Sequence, residues 1–488
     1  MQSLPDLNEL SHAQKDELIH RLWPLEELGQ ELVKRVNAMQ EIIDDLQGRL
    51  ALNSKNSSKP PSSDGLNKPK PKPKSLRVAG KKSTGGQKGH TGSTLLQVAQ
   101  PDEVVTHDVP DRCAACQRSL DFAYVGETRQ VFDLPALRFQ VTEHRAMQAV
   151  CSCGQVHSGQ FPIGVNATVQ YGALAQAAMV HLNQNHAVPL QRTAALMQQL
   201  FGLQVSQSAV CKANLAAKEA LAPTVQRIGQ ACVSAPVLSA DETGMRVAKT
   251  LHWLHVLATP TLSWIGSHPK RGTEAFEALG LLQQFRGVLV HDGWMPYKAL
   301  DCAHALCNAH HLRELTYLFE EQEQAWASDM IELLSHANHT DNQNCAEENT
   351  VHYGTAKYKT EVRDLRHLYD AILTHAELTN PVEEPSGKRG RTKQSKAVNL
   401  IGRLRQYSDD VWRFMSAPDI PFTNNLAEQA VRMPKVKQKV SGCFRTSEGA
   451  HTYCVIRSYA ATLHKQGIDV FEALVSTFKG EAPQPSFG

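Results

Sequence analysis

Residues 236–294 read PVLSADETGMRVAKTLHWLHVLATPTLSWIGSHPKRGTEAFEALGLLQQFRGVLVHDGW, and the changes of texture along this stretch decide the fold class. Apolar runs at VLSADETGMRV, LHWLHVLAT and LSWIGSHP predict three strands, and the short turns between them predict antiparallel neighbours. TEAFEALGLLQQF predicts a helix, GVLVHDGW a fourth strand, PYKAL a short helix and ALCNAH a further apolar run. The class is α/β. Two carboxylates follow apolar runs: Asp241 after Val237 and Leu238, and Asp292 after Val288, Leu289 and Val290. Side chains alternate across a strand, so Glu242 is expected to point away from Asp241.

Three antiparallel strands, a helix, then strands alternating with helices is the order of a ribonuclease-H-like core, in which the first and fourth strands lie side by side. Asp241 and Asp292 would then face one another. A third acid, Glu428, lies in NNLAEQAVR, one turn into a helix that Asn424 and Asn425 are expected to cap. Two neighbouring divalent ions need several hard oxygen ligands converging on one spot, and strand ends and a helix N-terminus are rigid mounts for them. Taken singly, each acid reads more readily as a cap, a turn residue or a surface carboxylate, and only their placement and order together reverse that. Arg432, Lys435, Lys437, Lys439 and Arg445 follow Glu428, either as contacts to a DNA backbone or as a solvated charged face. Trp294 either stacks on an unpaired base or packs in a core or rim. His310 and His311 are adjacent and diverge, so at most one approaches the metal ligands.

From Asp292 to Glu428 there are 136 positions, more than a plain core needs. The polar helical stretch YKTEVRDLRHLYDAIL and the basic patch GKRGRTK mark residues 313–415 as a helical insertion. It divides the core into a first part, 233–312, and a second, 416–488, that bears Glu428. Upstream, residues 166–232 read as helical. QRTAALMQQLFGLQVSQSAVCKANLAA has two helical stretches joined around Gly202, with Ser206 able to cap the second. This fits either a DNA-binding helix-turn-helix or an ordinary helical hairpin.

Net charge is only +2, but Lys55–His90 holds ten basic residues against one acid, Asp64. That segment alone is +9, which leaves −7 for the rest. Such a distribution points to an acidic polymer as partner. Residues 53–95, rich in Ser, Pro, Lys and Gly, bury too little to order themselves and are expected to be a disordered linker. Within it Lys68, Lys70, Lys72, Lys74, Lys81 and Lys82 are candidate DNA-backbone contacts.

Residues 1–52 form a helical, zipper-like unit. Ser11 with Gln14 resembles a capping box, and Pro24 either starts a second helix or kinks one. The seam Leu25, Gly29, Leu32, Val36, Met39, Ile43, Leu46, Leu50 follows a heptad pattern with one gap, so it either dimerises as a coiled coil or packs on its own chain. Residues 96–165 are expected to be β-rich, from the alternation in VVTHDV and at Phe139 and Val141. Cys113-x2-Cys116 and Cys151-x-Cys153 flank this unit and suit a closed, structural Zn²⁺ site, with His144 and His157 as substitute ligands. The other reading is incidental cysteines.

The eleven cysteines, odd in number and mostly scattered, argue against a secreted disulfide framework. No apolar stretch approaches the roughly 20 residues that span a bilayer, and MQSLPDLNELSH lacks the regions of a signal peptide. A cytoplasmic protein without membrane partners is expected. At 488 residues, several domains are too.

SADETG, HDGW, CNAHHLREL, NNLAEQAVR and the closing KVSGCFRTSEGAHTYCVIRSYAATLHKQGIDVFEAL together resemble transposases of the insertion sequence 66 family. NSSKPPSSDG with its Lys-rich tail, the cysteine pairs and the zipper-like helix extend the resemblance over nearly the whole chain. It implies a DDE-type centre of Asp241, Asp292 and Glu428 using Mg²⁺ (or Mn²⁺). The implied reaction cleaves strands at element ends and transfers them into target double-stranded DNA. A homo-oligomer and accessory proteins of the element are implied partners. The rivals are a nuclease of the same fold that does not join ends, and a non-enzymatic zinc-containing DNA-binding regulator.

Overall fold

The structure, a computed structural model, describes residues 11–51, 96–120, 124–125, 127–134, 137–162, 164–346, 353, 355–384 and 392–487. The basic segment with Lys68, Lys70, Lys72, Lys74, Lys81 and Lys82 lies outside the described residues. Helix α1 spans His12–Ala51 without interruption at Pro24, so the segment is one helix. Its start is a reciprocal capping box: the Ser11 N–H donates to Gln14 Oε1 at 3.0 Å, and the Gln14 N–H to Ser11 Oγ at 3.5 Å. Leu32, Val36, Met39, Ile43 and Leu46 of the seam are all exposed, so this part of it does not pack on its own chain.

Among the described residues the expected β-rich unit is largely absent. Between residues 96 and 165 the described strands are β1, Gln148–Val150, and β2, Val156–Ser158, an antiparallel pair of three residues each. One isolated bridge joins Arg112 to Ser119. The physical reason is that the alternating stretches bury no face: Val104, Val105, Phe139 and Val141 are exposed. A ladder without a covered side is marginal in water.

Helix α2, Ala173–Val180, runs into a π-turn at His181–Asn185 and is followed by α3, Leu190–Phe201, and α4, Gln207–Ser234. Gly202, at φ +71°, closes α3, and Ser206 Oγ accepts the Ala209 N–H at 3.1 Å to cap α4. Both joints are where the sequence put them.

The central sheet has strands β3 (Val237–Val247), β4 (Thr250–Ala258), β5 (Ser263–His268), β6 (Val288–His291) and β7 (Ala303–Leu306), in the order β5-β4-β3-β6-β7. β3, β4 and β5 form an antiparallel meander. Helix α5, Thr273–Leu279, carries the chain across to β6, which runs parallel to β3. After the one-turn α6, Met295–Lys298, β7 pairs parallel to β6. The first and fourth strands are therefore neighbours. Their register, Val237 with Val288 and Ser239 with Val290, puts Asp241 level with Asp292 when continued by two places. One expectation is corrected. β3 runs on to Val247, so Asp241 sits in mid-strand, just beyond where pairing with β6 stops.

The two faces of β3 feed different cores. Leu238 and Ala240 pack with α2, α4 and the C-terminal helices, while Met245 and Val247 pack with Val431, Phe444 and Tyr453. Leu238, Leu254 and Leu289 are fully buried, each worth roughly 1.5–3 kcal/mol. A helical region of α7 (Asn308–Gln322), α8 (Ala325–Ala346), α9 (Ala356–Thr379), α10 (Lys396–Gln406) and α11 (Ser408–Trp412) separates β7 from the last helices. It builds a third core on Val290, Ala305 and Leu306 of the sheet. The chain ends in α12 (Asn425–Ser441), α13 (Ser447–Lys465) and α14 (Val470–Phe478).

At the outer edge of the sheet, hydroxyls of α13 replace a missing strand. The Ile265 N–H donates to Ser458 Oγ at 2.8 Å and the Ser263 N–H to Thr462 Oγ1 at 3.0 Å, while Thr462 donates to the Ser263 carbonyl at 3.2 Å. Ser458 and Thr462 are wholly buried.

Candidate active site

Each sheet aspartate commits one oxygen to the backbone. Asp241 Oδ1 accepts the Glu242 N–H at 2.8 Å. Asp292 follows the last residue of β6, and its Oδ1 accepts the Trp294 N–H at 2.9 Å. This Asx turn passes through Gly293, whose φ of +88° a side chain would strain. Burial, the largest cause, and then the negative charges of Glu242, Asp292 and Glu428 lift the Asp241 carboxyl to about 8, against the opposing Glu242 N–H. The three predicted carboxylates thus lie within electrostatic reach of one another. Beneath them, buried His291 accepts the Gly293 N–H on Nδ1 at 3.0 Å and sets Nε2 3.2 Å from His304 Nδ1. Burial keeps its imidazole neutral.

Helix α12 brings Glu428 to this point in its first turn. Asn424 precedes the helix but does not cap it with its side chain, contrary to expectation. Its Nδ2 donates instead to the Ala240 carbonyl at 2.7 Å, and its N–H donates to Cys307 Sγ at 3.1 Å. The bond from Nδ2 to the buried strand carbonyl fixes the direction of the side chain, and Oδ1, the atom a cap would use as acceptor, takes no helix N–H. The start of α12 is thereby pinned to β3 one residue before Asp241.

Cys307 Sγ and His310 Nδ1 each lie 3.9 Å from Glu428 Oε1. These three ligand atoms fall within 4.8 Å of one another, and among the described residues no other set of three or more clusters so closely. Asp241 and Asp292 stand outside it. Ligands divided between two ions about 4 Å apart are separated by up to roughly 8 Å, a wider spacing than that of this cluster. Burial pushes the Cys307 thiol up to about 11. It is a protonated, soft donor and a poor match for a hard cation. His310 Nδ1 is buried without a hydrogen-bond partner, whereas His311 turns to Asn308 Oδ1 at 3.0 Å. One of the tandem pair approaches the acids, as their divergence requires. Cys307 was missed as a neighbour of Glu428, although its Cys-x2-His spacing to His310 at the head of α7 was a signal.

Glu242 turns the other way. Its Oε1 accepts from Arg271 Nε at 2.9 Å and Nη2 at 2.5 Å, and its Oε2 from the Tyr297 hydroxyl at 2.5 Å. The Arg271 guanidinium lies 4.1 Å from the Trp294 ring centre and 4.8 Å from that of Trp253. Trp294 also meets Phe276 and Tyr297 edge-on, which makes it a rim residue in this structure.

Arg432, Lys435 and Lys439 share one stripe of α12 with Glu428, at spacings of four, three and four. Arg432 and Lys439 are exposed, and Lys435 is half-buried with Nζ donating to the Gly244 carbonyl at 3.1 Å. Lys437 is a correction. It is only 8% exposed and lies over the rings of Phe444 and Tyr453, and burial lowers its ammonium to about 8. A helix presents a residue two places along on nearly the opposite side, so this lysine packs in the core. Arg445 is exposed beyond the helix.

The cysteine pairs occupy two separate tight turns. N–H groups of Cys116 and Ala115 lower the Cys113 thiol, and that of Cys153 lowers the Cys151 thiol. All four cysteines are free. The two pairs do not gather into one cluster of ligands.

An aspartate in β3, another just beyond the end of β6, a helix-borne glutamate and a basic stripe beside it mark a carboxylate-rich site in an α/β protein. A family model described as Transposase IS66 family matches residues 168–452, well over half of the chain. The chain belongs to the IS66 transposase family, which makes it an enzyme acting on DNA. Residues 2–95 match a family of unknown function, DUF6444. No curated protein matches the chain. Among the described residues no helix is long and apolar enough to cross a membrane.

Proposed function

We propose that the chain is a DDE-type transposase with a ribonuclease-H-like core, cutting DNA at element ends and joining those ends to target DNA. The observation that carries this reading is the level placement of Asp241 and Asp292 on neighbouring parallel strands with Glu428 brought to them by α12. Their oxygens are hard donors that suit Mg²⁺ or Mn²⁺, and the unpartnered Nδ1 of His310 faces the Glu428 side. When bound, the ions activate water or a DNA 3′-hydroxyl and offset the charge on the scissile phosphate. The chain's own contribution is positioning. Asn424 fixes the Glu428 helix against β3, and the two aspartates hold their free oxygens toward it. Arg432, Lys435 and Lys439 lead the DNA backbone along α12 to the carboxylates, with Arg445 beyond. The Lys-rich segment Lys68–Lys82 adds contacts that need no sequence. The exposed α1 seam joins copies of the chain as a coiled coil.

A structural Zn²⁺ would be held by Cys113, Cys116, Cys151 and Cys153 once their two turns close on one another. Zinc analysis of purified wild type should give one ion per chain, lost in Cys151→Ser.

The test of the reaction uses labelled element ends with Mg²⁺. Asp241→Ala, Asp292→Ala and Glu428→Ala should each lower cleavage by roughly 10³-fold or more while end binding persists. Near-normal cutting by any one removes that residue from the centre. Cleavage without joined product would leave a nuclease in place of a transposase.

A further inference from the structure

Two adjacent acids, Asp241 and Glu242, stand at the centre, and the structure gives them different work. We propose that Glu242 is a positioning residue for Asp292: it ties the turn that carries Asp292 to strand β3 from both sides. This inference rests on the proposed metal-binding role of Asp241 and Asp292.

The side chain of Glu242 is 2% exposed, so its carboxylate meets protein almost everywhere. One oxygen takes the Arg271 fork, at 2.9 and 2.5 Å, and the other takes the Tyr297 hydroxyl at 2.5 Å. Both partners lead to the same short segment. Arg271 lies 4.1 Å from the centre of the Trp294 ring, and the backbone N–H of Trp294 holds Asp292 Oδ1 at 2.9 Å. Tyr297 lies in α6, three residues further on, and is 1% exposed. Its ring stacks on Phe276 at 5.2 Å, which fixes where the hydroxyl oxygen sits beside Glu242. Residues 292–297 are thus held at their front through Arg271 and Trp294, and at their back through Tyr297. Trp253 closes the far side of the guanidinium at 4.8 Å.

Both oxygens of this carboxylate are engaged by protein donors. Its anchoring sets how Asp292 stands relative to Asp241, because Asp241 is the residue next to it on the same strand. Outer partners that orient metal ligands commonly change metal affinity by roughly 10- to 100-fold when removed.

The experiment uses the full chain, stripped of metal, and titrates Mn²⁺ while free Mn²⁺ is read by electron paramagnetic resonance. Cleavage and end binding are measured in parallel, and circular dichroism checks the fold. Arg271→Lys keeps the charge but loses the fork and the flat stacking surface, and Tyr297→Phe removes one hydroxyl. Each should weaken Mn²⁺ binding roughly tenfold and lower the rate of cleavage, with end binding unchanged. Glu242→Gln should weaken Mn²⁺ binding no more than the Arg271→Lys/Tyr297→Phe double variant does. Combining all three should add little further, because they act through one hub.

The proposal is overturned if Arg271→Lys and Tyr297→Phe leave Mn²⁺ affinity unchanged in folded protein. It is equally overturned if Glu242→Gln abolishes Mn²⁺ binding as fully as Asp292→Asn, since Glu242 would then be a ligand. Wild type that fails to bind Mn²⁺ or to cut DNA would instead remove the underlying metal-centre reading.

Discussion

Asp241→Asn in the metal-free protein should raise stability at neutral and alkaline pH, although it removes a residue proposed to be essential. Burial and the neighbouring carboxylates move the Asp241 carboxyl from 3.8 to about 8 in the folded chain. In the unfolded chain it ionises near its ordinary value of about 3.9. Between those two values the folded state holds about one proton more than the unfolded state, so stability falls as pH rises. The slope is at most about 1.4 kcal/mol per pH unit, and the whole window is worth up to about 6 kcal/mol. Water near an open cleft and local relaxation should reduce this to roughly 2–3 kcal/mol. Asparagine has no such proton, so variant and wild type should be nearly equal near pH 4 and diverge toward pH 8, with the variant ahead. Denaturant unfolding in EDTA at a series of pH values measures the difference. Equal slopes, or a variant less stable at pH 8, would refute the reasoning. Added Mg²⁺ should reverse the order, because only wild type gains a full ligand set. Binding near pH 7 should also release a proton, read by calorimetry in buffers of different ionisation enthalpy.

Three other outcomes follow from particular contacts. Arg432→Gln and Lys439→Gln should each lower the slope of log binding constant against log salt by about 0.9, the loss of one phosphate contact, while the buried Lys437→Met should leave it unchanged. Asn424→Ala leaves the Ala240 carbonyl without its 2.7 Å donor. It should cost about 1–3 kcal/mol in thermal or denaturant unfolding and slow cleavage more than it weakens end binding. Val36→Glu with Ile43→Glu in the exposed α1 seam should lower the mass seen by light scattering toward that of one chain, if that seam joins copies.

The sheet was legible because each strand is a short apolar run bounded by turns: β3 to β6 lie where those runs lie, whereas β7, Ala303–Leu306, shares only Ala305 and Leu306 with the run ALCNAH, whose second half opens α7. That the first and fourth strands are neighbours was expected from the ribonuclease-H-like order of elements, because direction alone would equally allow a parallel fourth strand against β5. Other features depended on who competes for a polar group. Asn424 looked like a cap, but the buried Ala240 carbonyl claims its amide. Lys437 sits in a run of basic residues, and only its direction from α12 shows that it packs on aromatic rings. Arg271 carries no local signal, because its role comes from Glu242, Trp294 and Trp253, which lie on three other segments. Alternation at 104–109 promised strands, yet alternation alone supplies no partner to cover them.

The hydroxyl border of β5 has a consequence for synthesis. Its acceptors and donors, Ser458 and Thr462, are 193 and 199 residues downstream of their partners Ile265 and Ser263. At about 5–20 residues per second, β5 waits roughly 10–40 s on the ribosome before α13 exists. During that interval its outer N–H and C=O groups face solvent or another nascent chain, the arrangement from which edge-to-edge aggregation starts. A chain that stops before Ser458 never leaves that state. Helix α13 therefore does the work of a built-in chaperone for the sheet, holding by side chains an edge that would otherwise recruit a stranger's backbone.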